Sequence, residues 1–195
     1  MLVSNNYLYN FSASYSGGGY KRLYEYVKEF NSRGGAHFII HPRCRALTEK
    51  FLSNSYHIVE QSKSKRVLND CAYLKKIISV NGVPDLYYAY GIPVYSKVAL
   101  VNWFHLSNVL PLAPKGIPMT PLDHIKMRFL GVRIRNNLIN ADVISAESNY
   151  SLSLIEPALK EKLFLSVNGS NDELEFLQEH NIKNKSDIAV VIGTN

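Results

Sequence analysis

The sequence predicts an α/β protein with an open, mostly parallel sheet and helices on both faces. Two observations carry this. Short apolar runs of about six residues alternate with helical-period stretches of about ten or more, as in a parallel sheet with crossover helices. Several runs, such as Val98 to Val101 and Ile188 to Ile192, are continuously apolar, as strands covered on both faces are.

The elements follow in order. Leu2-Val3 is a short candidate strand leading into a polar, Gly-rich stretch, Asn10 to Gly19. Tyr20, Leu23, Tyr24, Val27 and Phe30 then fall at i, i+3, i+4, i+7 and i+10, which predicts a helix to about Ser32. Arg33-Gly34-Gly35 stops it, with glycine in its usual C-terminal role. Ala36 to His41 reads as a buried strand ended by Pro42. A helix from about Arg45 to Leu52 leads to a strand, Tyr56 to Glu60. A longer helix, about Ser64 to Val80, carries Val67, Cys71, Leu74, Ile77 and Ile78 on one side. Asp85 to Tyr90 and Lys97 to Phe104 read as strands, and a Pro-rich loop precedes a helix from about Leu122 to Asn140. Ala141 to Ala146 is a strand, Ser148 to Leu159 a helix, and Leu163 to Val167 a strand. A final apolar run, Ile188 to Ile192, follows a polar stretch and has no helix after it to cover it. A parallel strand needs a crossover and two covered faces, so this run is expected to open a second domain. The expected organisation is therefore one domain over 1–170, with 171–195 as linker and first strand of another.

Bulk properties exclude several classes. A hydrophobic content of 46% with 19% charged residues is that of a globular chain, not a disordered one. No run reaches the ~20 apolar residues of a membrane span, and no secretory signal is expected at Met1. Two cysteines, Cys44 and Cys71, are too few for a disulfide framework and fit a reducing cytosol. Charge is unevenly spread. Residues 1–135 hold 18 basic and 7 acidic residues, a net +11, whereas 136–195 hold 4 and 9, a net −5. The basic part suits a phosphorylated ligand or an anionic surface. No RNA-binding or helix-turn-helix pattern accompanies it, so nucleic acid is not expected as a partner.

Three features are candidates for chemistry. Ser16-Gly17-Gly18-Gly19 lies between a strand and a helix N-terminus, where glycines let backbone N–H groups approach a phosphate. It is neither a dinucleotide fingerprint nor a P-loop, and a flexible turn is the plain alternative. His105 follows an apolar strand, at the carboxyl end where open parallel sheets bind ligands; it could hydrogen-bond a sugar or phosphate oxygen, or be an ordinary loop residue. Residues 93–135 carry Lys97, Lys115, Lys126, Arg128, Arg133 and Arg135 against Asp123 alone. Interleaved with Leu122, Ile125, Phe129, Leu130 and Ile134, these charges could lie against anionic lipid, or the apolar side could pack on the sheet. Metal ligation is not expected: His37 and His41 would lie about 13 Å apart along one strand face, too far to share an ion.

In combination and in this order, five segments resemble the N-terminal domain of GT-B-fold glycosyltransferases of the retaining family four. They are Gly17-Gly18-Gly19-Tyr20-Lys21-Arg22-Leu23, Pro84-Asp85-Leu86-Tyr87-Tyr88, Val101-Asn102-Trp103-Phe104-His105, Ala141 to Ser148, and Asn168-Gly169-Ser170-Asn171-Asp172. The resemblance implies a Rossmann-like sheet forming half of a two-domain enzyme. It further implies sugar transfer from a nucleotide-diphosphate donor to a glycan or lipid-linked acceptor, without a metal or other cofactor. Gly17, Gly18, Gly19 and Ser148 would lie at the donor, and His105 would contact the donor sugar. The resemblance implies an enzyme of a kind that often works at the cytoplasmic membrane face, which suits the basic segment with Lys126, Arg128, Arg133 and Arg135 as its membrane-binding residues. Leu106 departs from the family, where an acidic residue commonly follows the histidine. The rival reading is a non-catalytic α/β module for a phosphorylated or nucleotide ligand.

Overall fold

A computed structural model describes residues 6–59, 63–113 and 118–166, with backbone alone for 63–70. Seven strands form one open, all-parallel sheet: β1 (Tyr7–Asn10), β2 (His37–Ile40), β3 (Ser55–Ile58), β4 (Leu86–Tyr90), β5 (Val101–Leu106), β6 (Val143–Ala146) and β7 (Leu163–Leu165). Their order is β3-β2-β1-β4-β5-β6-β7. The chain moves outward in one direction through β3, returns, and moves outward in the other from β4. The reversal lies between β1 and β4, the switch point where open α/β sheets open a crevice beyond their carboxyl ends. The fold is therefore the Rossmann-like α/β arrangement that the alternation predicts.

Alternation within each strand builds a core on either face. Leu8, Ile39, Tyr87, Ala89, Phe104 and Ile144 point one way, toward Leu74 and Ile77 of α3 (Lys63–Asn81) and Ile134 of α4 (Pro121–Asn137). Tyr9, Phe38, Ile40, Tyr88 and Tyr90 point the other way, toward Leu23 and Val27 of α1 (Gly17–Ser32) and Leu47 of α2 (Ala46–Lys50). This second face is aromatic. Tyr9 stacks on Phe38 with centroids 5.3 Å apart, and Tyr26 on Tyr88 at 5.6 Å. Such pairs add to simple area burial.

Some boundaries differ from those predicted. Strand β1 occupies Tyr7–Asn10, between the expected strand at Leu2-Val3 and the polar stretch that begins at Asn10; Leu2-Val3 lies outside the described residues. Lys97 to Leu100 is not strand. The Asn102 side chain accepts from the N–H groups of Val98 (2.9 Å) and Ala99 (3.2 Å), and Leu100 N–H donates to Pro84 O. These bonds fold the apolar run into a turn, so pairing with β4 begins only at Val101, opposite Leu86. The helix after β6 is short, α5 (Asn149–Ser153), with a 3-10 turn at Pro157–Lys162. Pro157 is the reason, since its ring fixes φ and removes a donor. Asn168 to Asp172 and Ile188 to Ile192 lie outside the described residues, as do Lys115 and the proposed linker 171–195.

Candidate functional site

The shift in β5 changes the setting of His105. It does not follow the strand but lies within it, paired between Tyr90 of β4 and Ser145 of β6. Phe104 and Leu106 face α4, so Trp103 and His105 face α1. His105 is completely buried. This corrects the expectation that it faces an open cleft. Its ring stacks on Tyr90 with centroids 5.0 Å apart and planes 7° from parallel.

Both imidazole nitrogens are engaged. Nε2 lies 2.7 Å from Arg22 Nη1, and Nδ1 lies 2.8 Å from Ser145 Oγ. A guanidinium only donates, so Nε2 accepts and Nδ1 carries the proton, which it donates to Ser145. Ser145 Oγ also accepts from Trp103 Nε1 at 2.7 Å. The tautomer is thereby assigned from the network, and the ring is neutral. Burial pushes the His105 pKa below its ordinary value, and Arg22 adds to this against the opposing pull of Glu147.

Arg22 comes from the second turn of α1 and gathers the rest of the cluster. Its Nη1 reaches Glu147 Oε1 at 3.3 Å, its Nη2 reaches Ser166 Oγ at 3.4 Å, and its guanidinium lies 5.4 Å from the Tyr90 ring centroid. Glu147 Oε1 is 3.6 Å from His105 Nε2. The carboxylate that Leu106 fails to supply beside the histidine thus comes from the next strand's loop. Burial and the Glu147 carboxylate raise the Tyr90 pKa, so the phenol stays protonated. Sequence reading missed Arg22 and Glu147 because neither stands near His105 in the chain. They are 83 residues before it and 42 residues after it.

The glycine run is divided in its work. Gly17 has φ +59, a left-handed conformation that suits glycine. Beside Gly18 a Cβ would meet nothing within 4 Å, leaving open space. At Gly19 a Cβ would lie 3.2 Å from Ser14 Cβ and 3.4 Å from Tyr90 Cε1, so this glycine lets α1 pack closely on the end of β4. Ser16 caps α1 by position but its side chain makes no capping bond, and no acidic residue stands in the first turn. Ser148 is otherwise employed. It is the N-cap of α5, accepting from Ser151 N–H at 3.1 Å and bonding Ser151 Oγ at 2.8 Å.

Helix α4 is also divided. Thr120 caps it and Pro121 starts it, while Gly131 and Ile134 are buried on the sheet side. A Cβ on Gly131 would come within 2.1 Å of Pro111 O, so the helix sits directly on that loop. Leu122, Ile125, Phe129 and Val132 point outward and are 48–68% exposed. Of the apolar residues expected to pack, Leu130 and Ile134 do so, whereas Leu122, Ile125 and Phe129 do not. The 3-4-3 spacing puts the exposed four on one stripe. By helical period Lys126 and Arg133 flank it on one side, Arg128 and Arg135 on the other. Arg133 is held over Tyr95 at 4.9 Å, and Arg135 donates to Leu112 O at 3.3 Å. Among the described residues no helix is long and apolar enough to cross a membrane.

Asp142, in the Ala-Asp segment of the resemblance, has a structural task. It accepts from Lys97 Nζ (2.6 Å), Asn102 N–H (2.9 Å) and Asn102 Nδ2 (3.0 Å), tying the start of β6 to that of β5. Burial opposes its ionisation, but these hydrogen bonds together hold its pKa at about 2. On the α3 face, His37 and His57 stack with centroids 5.8 Å apart, and His37 Nδ1 and His57 Nε2 are buried without a hydrogen-bond partner among the described residues. Burial lowers the pKa of both.

These shifts predict the pH dependence of stability. A histidine whose folded pKa is depressed binds its proton first in the unfolded chain. Stability is then intact above the ordinary value of about 6.5 and is lost as pH falls below it. His37, His57 and His105 all act in this direction, and Asp142 extends the loss between about pH 4 and 2. Thermal melts should be flat from pH 8 to 7 and fall steadily below about 6.5. An unchanged midpoint down to pH 5 would show that these imidazoles are charged or solvated in the folded protein.

What the fold and the cluster define together is a Rossmann-like α/β domain with a buried polar network at the carboxyl ends of β4, β5 and β6, beside the strand-order switch. No protein-family model matches the chain, and no curated protein matches it.

Proposed function

We propose that the chain is the acceptor-side half of a glycosyltransferase that moves a sugar from a nucleotide-diphosphate donor to a glycan or lipid-linked acceptor, with retention. The observation that supports this most is the convergence of Arg22, Tyr90, His105 and Glu147 beyond the switch point, with the Gly17–Gly19 turn opening α1 beside them. In this reading the acceptor lies over the carboxyl ends of β4 to β6. The donor nucleotide is held chiefly by a second domain of the same enzyme, its diphosphate approached by Gly17 and Gly18. No metal or other cofactor takes part. The exposed stripe of α4, flanked by Lys126, Arg128, Arg133 and Arg135, rests on an anionic cytoplasmic membrane face, where lipid-linked acceptors are found.

The experiment is nucleotide-sugar turnover by the complete enzyme, screened over donors and followed by nucleotide release. One donor should be consumed, the product should keep the donor's anomeric configuration, and residues 1–195 alone should turn over none. A folded complete protein that consumes no donor in the presence of glycan and lipid-linked acceptors overturns the reading. The complete burial of His105 and the engagement of both its nitrogens favour the second reading, a non-catalytic module for a phosphorylated or nucleotide ligand. Tight nucleotide binding without turnover would select it.

A further inference from the structure

We infer that Arg22, held in place by His105, is the residue through which this site grips an anionic group of its ligand, and that Glu147 occupies that grip until the ligand arrives. The inference deepens the reading above and rests on this cluster being the ligand site, though not on sugar transfer.

The first argument is hydrogen-bonding capacity. A neutral imidazole has two polar positions, and His105 has spent both, one on Ser145 and one on Arg22. It has no exposed surface from which to meet a ligand. Arg22 differs on both counts. Its side chain retains 12% exposure. Its guanidinium carries five N–H donors, and the contacts to His105, Glu147 and Ser166 do not exhaust them. A planar fork of donors fits the oxygens of a phosphate or carboxylate better than any other side chain.

The second argument is orientation. An arginine side chain has four rotatable bonds and is costly to immobilise. Here it is fixed from three sides: His105 Nε2 accepts from below, Tyr90 lies against its face, and Ser166 accepts from Nη2. His105 is in turn fixed by Ser145 and by the stacked Tyr90 ring. This makes His105 a positioning residue.

The third argument concerns Glu147. It is a carboxylate with 37% exposure, 3.3 Å from the guanidinium it neutralises. An incoming anion has the same charge and the same geometry, so the two compete for Arg22. Removing the charge of Glu147 should therefore strengthen anion binding, an outcome that a purely structural ion pair does not produce.

Pyrophosphate is the probe, titrated into the full chain while the side-chain N–H of Arg22 and the ring nitrogens of His105 are followed by NMR. In the wild type, pyrophosphate should shift the Arg22 signal and leave His105 neutral with its proton on Nδ1. Glu147→Gln should tighten pyrophosphate by about tenfold, the size of one charge-assisted hydrogen bond. Arg22→Lys should weaken it by a similar factor while keeping the charge. Because Arg22→Gln could lose its fold, Glu147→Gln, at a partly exposed position, carries the decision. Unchanged affinity in Glu147→Gln, or pyrophosphate shifts elsewhere with Arg22 unmoved, overturns the inference. Donor turnover by the complete enzyme with an unchanged KM in Arg22→Lys would remove Arg22 and leave sugar transfer standing.

Discussion

Replacing His105 by alanine is expected to destabilise the protein by about 3–5 kcal/mol, since a large buried ring is lost and its polar partners are left unpaired. The ring is fully buried, stacks on Tyr90, accepts from Arg22 and donates to Ser145. Without it Arg22 loses an acceptor, Ser145 loses one of its two donors, and a cavity opens beneath α1. For a domain of this size the midpoint should fall by roughly 10 °C. The position of His105 at the carboxyl end of an apolar run suggests by itself that turnover would suffer far more than stability. Complete burial removes that asymmetry, because a buried polar group cannot be deleted without structural cost. His105→Gln, which can keep one donor and one acceptor, should recover part of the loss. A His105→Ala melt within about 2 °C of wild type would mean that the network contributes nothing to folding.

Charge reversal at Lys126, Arg128, Arg133 and Arg135 is expected to lower association with vesicles containing anionic lipid by about a hundredfold or more. Each basic residue at such a surface is worth at most about 1 kcal/mol, or roughly fivefold in affinity. The apolar stripe is the separate component. Leu122, Ile125, Phe129 and Val132 are exposed on one side of α4, and burying such side chains yields about 1.5–3 kcal/mol each. Leu122→Ser with Phe129→Ser should therefore weaken binding even at salt concentrations that screen the charges. Arg135 and Arg133 also hold the helix, through Leu112 O and the Tyr95 ring. The charge test should for that reason be repeated with Lys126 and Arg128 alone. Equal sedimentation of the wild type with neutral and anionic vesicles would end the membrane reading and return the stripe to a surface of other purpose.

Most of the α/β organisation was legible in the chain. Apolar runs of strand length separated by helical-period stretches admit few arrangements, and parallel crossovers restrict them further. Thus α1 and α3 are found close to where their periodicity puts them, as are β2, β4, β6 and β7. The errors have separate causes: a side chain that captures nearby backbone in one case and pairing with neighbouring strands in another. The run Lys97 to Leu100 has the composition of a strand, yet Asn102 captures the N–H groups of Val98 and Ala99 and turns it. Strand β1 has a weak apolar signal of its own and exists because β2 and β4 pair with it on either side.

The candidate site was legible only in outline. That His105 and the glycine run belong near a strand's carboxyl end follows from local pattern, since a Gly-rich turn between strand and helix has few other places in such a sheet. Which way His105 points does not follow. That depends on the register of β5 against β4 and β6, and a shift of one residue reverses the face of every side chain. The register puts His105 under α1, where Arg22 from one end of the chain and Glu147 from the other meet it. Sequence by itself determined the layers and their order of appearance, because hydrophobic period is a local property. Tertiary structure alone decided which polar groups meet, because burial forces each donor to find an acceptor among residues that the chain keeps far apart.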